Sequence, residues 1–159
     1  MKQPILLFFF GFAIFAQSYA SGDNRLEFIV KETSKDKSNP SQAHVTLELK
    51  NLTDDTLVFL TWSCDRFLRL LSIDGQNVDL DQIGCEQNGP SFLKLLPHGS
   101  YQETVEIRIN KPDTIIPAFR VRINLIEPKE KYNIIKAYEA TNETDKKQFS
   151  LLTDYIQMK

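Results

Sequence analysis

The chain has 159 residues, 42% of them hydrophobic, and its 19 basic and 21 acidic side chains give a formal net charge of −2. Both signs of charge are scattered along the sequence, which lacks the basic stripe that a nucleic-acid backbone requires and the polybasic patch of a membrane-surface protein. We therefore expect no nucleic-acid partner.

Residues 1–20 have the pattern of a signal peptide. Lys2 precedes an unbroken apolar run from Ile5 to Phe15, and small residues precede the expected cleavage point after Ala20. The run is shorter than the roughly 20 residues that cross a bilayer, and no cysteine near the cleavage point could carry a lipid. We predict a secreted or periplasmic protein without a stable membrane anchor, with a single domain over residues 21–159.

The first half of this domain contains three segments that predict strands. Leu26 to Thr33 is the first, and His44 to Leu52 is the second, with apolar side chains on one face and polar ones on the other. Leu57 to Ser63 is apolar on both faces, which is typical of a central strand between two covered surfaces. Phe67 to Ile73 and Asn77 to Leu80 flank an Asp-Gly pair and predict a hairpin.

The second half contains the clearest alternation. Tyr101 to Ile109 and Phe119 to Ile126 predict strands with one buried face, and Phe92 to Leu96 predicts a shorter strand before them. Tyr132 to Ala140 fits either a short helix or an extended segment. Leu151 to Met158 predicts a last strand.

Seven to eight short strands separated by turn signals predict an all-β fold, an antiparallel β-sandwich. A closed barrel stays open as the alternative, because the pattern does not show whether the edge strands pair.

A resemblance makes the fold prediction more specific. Val45 to Asn51, the turn from Leu95 to Ser100 and the alternating strand after it resemble bacterial immunoglobulin-like envelope domains, including their proteinase-inhibitor-like branch. The resemblance spans Leu26 to Leu125 and implies an immunoglobulin-like β-sandwich. Trp62 precedes both cysteines, whereas antibody-type domains place a tryptophan between them, so we expect a local bridge here.

The two cysteines, Cys64 and Cys85, predict a disulfide, because an oxidising compartment favours pairing. Closing a loop of this size stabilises a domain by about 3 kcal/mol. The alternative is a hydrolase in which Cys64 is the nucleophile and His98 the base. No recognisable catalytic motif surrounds either residue, so we expect no catalytic residues and no enzymatic activity.

Four oxygen-bearing side chains near the predicted hairpin, Asp74, Asn77, Asp79 and Asp81, suggest a calcium site at first. Their spacing does not match the EF-hand loop, so a solvated hairpin tip is the favoured interpretation. We expect no metal and no cofactor.

Three further sets of residues have two interpretations each. Asn51 and Asn142 each begin a glycosylation triplet in a predicted loop, which is an acceptor in a eukaryotic source and has no meaning in a bacterium. Six charged residues predict either cross-strand ion pairs or an arginine patch for an acidic ligand: Glu48, Lys50, Glu106, Arg108, Arg120 and Arg122. Five aromatic residues predict either core packing or a platform for sugars or peptides: Trp62, Phe67, Tyr101, Tyr132 and Tyr138.

These observations favour a non-enzymatic binding domain that acts through protein–protein contacts, as a proteinase inhibitor or an accessory module. The candidate binding loop runs from Asp81 to Ser91, because the predicted bridge and a proline would restrict it before binding. Its candidate residues are Asp81, Gln82, Glu86, Gln87, Asn88 and Pro90. The alternative function is a carbohydrate or small-ligand binding module.

Overall fold

The computed structural model describes residues 24–64, 68–81, 89–111, 118–140 and 147–158. These residues form two antiparallel β-sheets with almost no helix, which confirms the all-β, antiparallel prediction. The predicted signal peptide lies outside the described residues. Within the described part of the chain, no helix is both long and apolar enough to cross a membrane.

Nine strands are described, more than the seven to eight that the sequence predicts. They are β1 (Leu26–Lys35), β2 (Gln42–Asn51), β3 (Leu57–Trp62), β4 (Leu71–Asp74), β5 (Val78–Leu80), β6 (Pro90–Leu95), β7 (Ser100–Ile109), β8 (Arg120–Glu127) and β9 (Lys147–Leu152). A 3₁₀ turn (Leu68–Leu70) and the helix α1 (Ile134–Glu139) complete the described regular structure. Strands such as β5, with three residues, are too short to show a clear alternation.

Sheet one has the strand order β1–β2–β7–β5. In sheet two, β9 pairs with one edge of β8 over most of its length. The opposite edge of β8 is shared, because β4 pairs with Arg120 to Ile123 and β3 pairs at Ile126. β6 pairs with the far edge of β3. Among the described residues, no strand pairs with β8 at Asn124 and Leu125 on this shared edge, and the 3₁₀ turn contacts β8 and β3 there.

One hydrophobic cluster contains side chains from both sheets and forms the core. The predicted alternation places these residues in it: Val45, Leu47, Leu49, Val105, Ile107, Ile109, Val121, Ile123 and Leu125. Fully burying such a side chain contributes about 1.5–3 kcal/mol. β3 is buried on both faces, as its sequence predicts. Leu57 and Phe59 belong to the cluster, whereas Val58 and Leu60 are buried outside it.

The predicted hairpin around Asp74 is wrong. β4 pairs with β8 in sheet two, and β5 pairs with β7 in sheet one, so the chain crosses between the sheets at this turn. Gly75 lies so close to Phe119 that a Cβ on the glycine would overlap the Cβ of that residue. Asn77 adopts a φ angle of 60°, a conformation that asparagine tolerates better than most residues. The Asp-Gly turn, whose residues favour a hairpin, thus forms a corner between the two sheets.

The last strand lies earlier than predicted. The sequence predicts it at Leu151 to Met158, whereas β9 ends at Leu152. Beyond this point the hydroxyl of Thr153 accepts a hydrogen bond from the backbone N–H of Val121 at 3.0 Å, so a side chain replaces the carbonyl that would continue the ladder. Among the described residues after Thr153, an isolated bridge joins Ile156 to Phe119.

Candidate binding site

The segment whose sequence fits either a helix or an extended conformation forms the helix α1. The side chain of Asn133, at the N-cap, accepts a hydrogen bond from the backbone N–H of Lys136 at 3.1 Å. The carboxylate of Glu130 accepts hydrogen bonds from the backbone N–H groups of Tyr132 and Asn133, and these bonds lower its pKa. Ala137 is buried and α1 contacts β6. The short helix is therefore fixed by its cap and by sheet two.

One side of this segment carries three exposed apolar side chains, Tyr132, Ile135 and Tyr138, which we call the tyrosine stripe. They are 96%, 64% and 46% exposed, respectively. Ile135 and Tyr138 lie three residues apart on one side of the helix, and Tyr132 comes just before its N-cap. A hydrophobic residue just before an N-cap often packs back against the helix, here against Ala137, but the exposure of Tyr132 shows that it does not. Grouped exposed apolar side chains are typical of an interaction surface.

An ion-pair network attaches the chain before α1 to the rest of the fold. Arg25 donates a hydrogen bond to the Glu127 carboxylate at 3.0 Å, and Lys131 lies 3.5 Å from the same carboxylate. Burial raises the pKa of Glu127, but the hydrogen bond and charge of Arg25, together with Lys131, outweigh burial and lower it. The Arg25 guanidinium also lies 5.0 Å from the ring centre of Phe149. These contacts hold the segment that leads into the tyrosine stripe.

A second surface feature is a depression of about 320 Å³ in sheet two, next to the edge of β8 at which no described strand pairs with Asn124 and Leu125; β9 pairs with both residues at the other edge. We call it the Trp62 depression. Its lining residues are Trp62, Arg69, Leu70, Asn124, Leu125, Ile126, Gln148, Phe149 and Ser150. The Arg69 guanidinium lies 5.9 Å from the ring centre of Trp62. The volume is at the lower end for small-ligand sites, and the mixture of aromatic and polar side chains is typical of them.

The candidate binding loop is described only at its ends. The backbone N–H of Asp81 donates to the carbonyl of Glu106 in sheet one, and its carboxylate accepts a hydrogen bond from Arg108. Pro90 begins β6 opposite Trp62 in sheet two. The other candidate residues of this loop lie outside the described residues: Gln82, Glu86, Gln87 and Asn88. The loop therefore joins the two sheets, and its binding role remains a prediction.

The predicted disulfide and the alternative catalytic pair depend on Cys64. Cys64 is described and Cys85 is not, so the bridge stays a prediction. Cys64 follows the end of β3, whereas the backbone N–H of His98 donates to the carbonyl of Thr53, before the start of β3. The six residues of that strand separate Cys64 from His98 by roughly 20 Å. They form no catalytic pair, and His98 Nε2 instead lies 2.8 Å from Asp54 Oδ1.

The acidic residues of the predicted hairpin tip do not share a site, because β4 and β5 belong to different sheets. Asp74 accepts a hydrogen bond from Arg120 at 2.9 Å in sheet two. Asp79 accepts one from Asn110 at 2.6 Å in sheet one. No group of three potential metal ligands occurs within the described ranges.

The predicted arginine patch also divides between the sheets. Sheet one carries Glu48, Lys50, Glu106 and Arg108, and sheet two carries Arg120 and Arg122. Glu48, predicted to face water, is only 7% exposed. Its carboxylate accepts a hydrogen bond from Gln102 at 2.8 Å and lies 3.3 Å from Lys31. The Gln102 bond is the main reason why the pKa of Glu48 is lowered, although burial opposes it.

Asn51, which begins a glycosylation triplet and was expected in a loop, is the last residue of β2 and is 0% exposed. Its Nδ2 atom donates to the carbonyls of Asp55 at 2.7 Å, Leu96 at 2.9 Å and Leu95 at 3.2 Å. A nitrogen held in these bonds has no access to a glycan donor in the folded protein. The side chain ties two turns together instead. Asn142 lies outside the described residues.

The five aromatic residues do not form one platform. Trp62 lines the depression, and Tyr132 and Tyr138 belong to the tyrosine stripe. Tyr101 packs against the core from β7, and Phe67 lies outside the described residues. The sequence pattern does not reveal the polar lining of the depression from β8 and β9, because alternation assigns those side chains to solvent and does not show which strands are neighbours.

Comparisons with known proteins assign no family to this chain. No protein-family model and no curated protein matches it. Among solved structures, it is similar to the yjhA protein from Bacillus subtilis, with a TM-score of 0.38 and 10% sequence identity over 85% of this chain and 96% of that one. We draw nothing about function from a likeness this weak.

Proposed function

We propose that this protein is a secreted or periplasmic, non-enzymatic binding domain that acts through protein–protein contacts. The observation that carries this proposal is the tyrosine stripe, in which Tyr132, Ile135 and Tyr138 stand in water on a segment held by its cap and by ion pairs. A partner that covers this surface gains about 25 cal/mol for each Å² of apolar area removed from water. Little ordering of the helix is needed on binding, because it is already fixed.

The stripe fits a partner that presents a hydrophobic groove. Apolar residues three positions apart on one helix side are the anchors of helix-in-groove recognition, and tyrosine is enriched among the residues that dominate binding energy. Lys131, Lys136 and Glu139 lie beside the stripe and supply the mixed polar rim of such interfaces.

The strand orders support the finer assignment to an immunoglobulin-like β-sandwich. The order β1–β2–β7–β5 corresponds to strands A, B, E and D of immunoglobulin domains, and β9–β8–β3 corresponds to G, F and C. Strand β4, which pairs with the same edge of β8 as β3, departs from that pattern. Strand β6 is a second departure, because it lies between β5 and β7 in the chain and pairs with β3 in sheet two.

Export and the disulfide remain part of the proposal and have a direct test. The intact mass of protein secreted by an exporting host should start at Ser21 and should be two mass units below the mass with both Cys64 and Cys85 reduced. A retained leader contradicts export. Two free thiols contradict the bridge and reopen the chemistry of the cysteines.

The binding surface is tested with the double variant Tyr132→Ser, Ile135→Ser. Its free energy of unfolding should stay within about 0.5 kcal/mol of wild type, because both side chains are exposed. Tyr155→Ser is the matched control, since Tyr155 is 65% exposed and follows β9, where its ring lies 4.6 Å from the Arg120 guanidinium. Envelope proteins captured by wild type and by the control should be lost with the double variant and should bind wild type again after purification. Equal capture by all three proteins contradicts the role of the stripe.

The inhibitor form of the proposal rests on the loop from Asp81 to Ser91. If excess protein leaves a panel of common proteinases fully active, the inhibitor form of the proposal is contradicted. The accessory-module form of the proposal depends on the tyrosine stripe, so that result does not contradict it.

A second candidate function is binding of a carbohydrate or another small ligand. The Trp62 depression favours it, because an indole, a guanidinium and two side-chain amides line one concave surface there.

A further inference from the structure

One wall of the Trp62 depression carries neutral polar side chains from β8 and β9. In the register of these strands Asn124 lies opposite Ser150 and Ile126 lies opposite Gln148, so all four side chains share the face that points away from the core. Ser150 Oγ donates to Asn124 Oδ1 at 3.0 Å. Among the described residues, the N–H groups of Asn124 and the side-chain amide of Gln148 make no hydrogen bond within the protein. This wall therefore offers a ligand donors from both amides and an acceptor from Gln148.

The opposite wall of the depression is aromatic and apolar. It includes Trp62, at the end of β3, and Leu70, in the 3₁₀ turn. A sugar ring has C–H groups on its faces and hydroxyl groups around its edge, so a flat aromatic side chain covers a face and leaves the hydroxyl groups at the periphery. Removing the apolar face of the ring from water is favourable.

The charges of the lining residues favour a neutral ligand. Among the described residues that line the depression none is acidic, so a cationic ligand finds no carboxylate there. The guanidinium of Arg69 contacts the Trp62 ring and is already engaged with the protein, so an anionic ligand would have to compete with these contacts. Burying a charge without a partner costs far more than burying a hydroxyl group that is hydrogen-bonded. Hydroxyl groups both donate and accept, and the amides of Asn124 and Gln148 can pair with them.

We propose that the Trp62 depression binds a neutral saccharide. The inference rests on the second candidate function and names its ligand class. Trp62 covers one face of a sugar ring, the Asn124 amide donates to a hydroxyl oxygen, and the Gln148 amide donates to one hydroxyl group and accepts from another.

The chain contains a single tryptophan, so intrinsic fluorescence reports directly on Trp62. The purified protein is titrated with a cello-, a manno- and an N-acetylated chito-oligosaccharide of equal length, and with an oligogalacturonate as the acidic comparison. Calorimetry is carried out in parallel. We expect saturable fluorescence and heat changes with at least one neutral oligosaccharide. Its affinity should not change with salt concentration, because no ion pair forms with the ligand.

The variants Asn124→Ala and Gln148→Ala each remove one amide from the polar wall. Each should weaken the binding of that oligosaccharide roughly 3- to 10-fold, as expected for the loss of one neutral hydrogen bond. Gln148→Ala breaks no hydrogen bond among the described residues, so its effect reports on the ligand, whereas Asn124→Ala also removes the bond from Ser150. Asn110→Ala is the matched control, because it removes an exposed amide beside sheet one and should leave the affinity unchanged.

Each outcome decides the inference. Saturable binding of a neutral oligosaccharide that at least one amide variant weakens, with the control unchanged, supports it. Binding of the oligogalacturonate alone overturns the neutral class and leaves the carbohydrate function standing. Neutral binding that neither amide variant weakens, or that the control weakens equally, overturns the site and also leaves that function standing. Fluorescence and heat that stay flat with all four oligosaccharides overturn both the inference and the carbohydrate function.

Discussion

Replacing Asn51 by alanine tests whether one buried side chain holds two turns of this fold together. Its Nδ2 atom donates to backbone carbonyls of the turn before β3 and of the turn after β6. Its Oδ1 atom accepts hydrogen bonds from the backbone N–H of Thr53 at 2.9 Å and from the Thr53 hydroxyl at 2.8 Å. Alanine removes all of these bonds, and the carbonyls of Leu96 and Asp55 keep only the bonds from the Gly99 N–H and from the Thr53 hydroxyl.

The expected loss follows from these contacts. A neutral hydrogen bond contributes about 0.5–1.5 kcal/mol, and a buried polar group left without a partner costs about 1–3 kcal/mol. Counting the two shorter bonds from Nδ2 and one bond to Oδ1 at about 1 kcal/mol each, the free energy of unfolding should fall by about 3 kcal/mol. For a chain of this length, the midpoint of thermal unfolding should fall by about 10 °C.

Asn51→Asp separates the hydrogen bonds from the packing, because the two side chains have nearly the same shape. At pH 7 an oxygen replaces the donor atom and faces three carbonyl oxygens, so the loss should at least equal that of Asn51→Ala. The loss should shrink in acid, because a protonated carboxyl group can donate one hydrogen bond. The pKa of the new carboxyl group should therefore be raised in the folded protein.

Urea unfolding, followed by Trp62 fluorescence and by far-ultraviolet circular dichroism, measures these changes. Asn110→Ala is the matched control, because Asn110 makes one exposed side-chain bond to Asp79, and it should change stability by less than about 0.5 kcal/mol. If Asn51→Ala also stays within about 0.5 kcal/mol of wild type, the reasoning from its contacts is wrong.

Two further predictions concern the buried carboxylate of Glu48 and the close contact between Gly75 and Phe119. The hydrogen bond from Gln102 is the main reason why the pKa of Glu48 is lowered in the folded protein. The stabilising effect of Glu48 is therefore complete above its unfolded pKa of about 4.3. This effect is lost as the pH falls through the folded pKa. Glu48→Gln should therefore flatten the fall in stability below that pH, and an unchanged pH profile contradicts this. Gly75→Ala should cost about 1–3 kcal/mol, because the new Cβ overlaps Phe119. Gly89→Ala, whose Cβ would meet no atom within 4 Å, should be close to neutral in the same unfolding assay, and equal losses for the two variants would refute the steric argument.

Local features of the chain were readable from the sequence because neighbouring residues decide them. The strict alternation in β7 and β8 predicts which side chains enter the core, and their burial confirms it. Pro97 at the first central position and Gly99 at the fourth position predict a turn from Leu96 to Gly99. The backbone N–H of Gly99 donates to the carbonyl of Leu96 at 2.9 Å, and His98 adopts a φ angle of 53°, which confirms a tight turn.

By itself, the sequence determined the all-β class, the buried face of each long strand and the positions of the tight turns, since these depend on a two-residue period and on turn chemistry. Only the tertiary structure decided which strands pair. It sends the residues on either side of Gly75 to different sheets, buries Asn51 and brings Trp62 beside Asn124. Each of these outcomes joins residues far apart in the chain, and a local pattern carries no information about its distant partners.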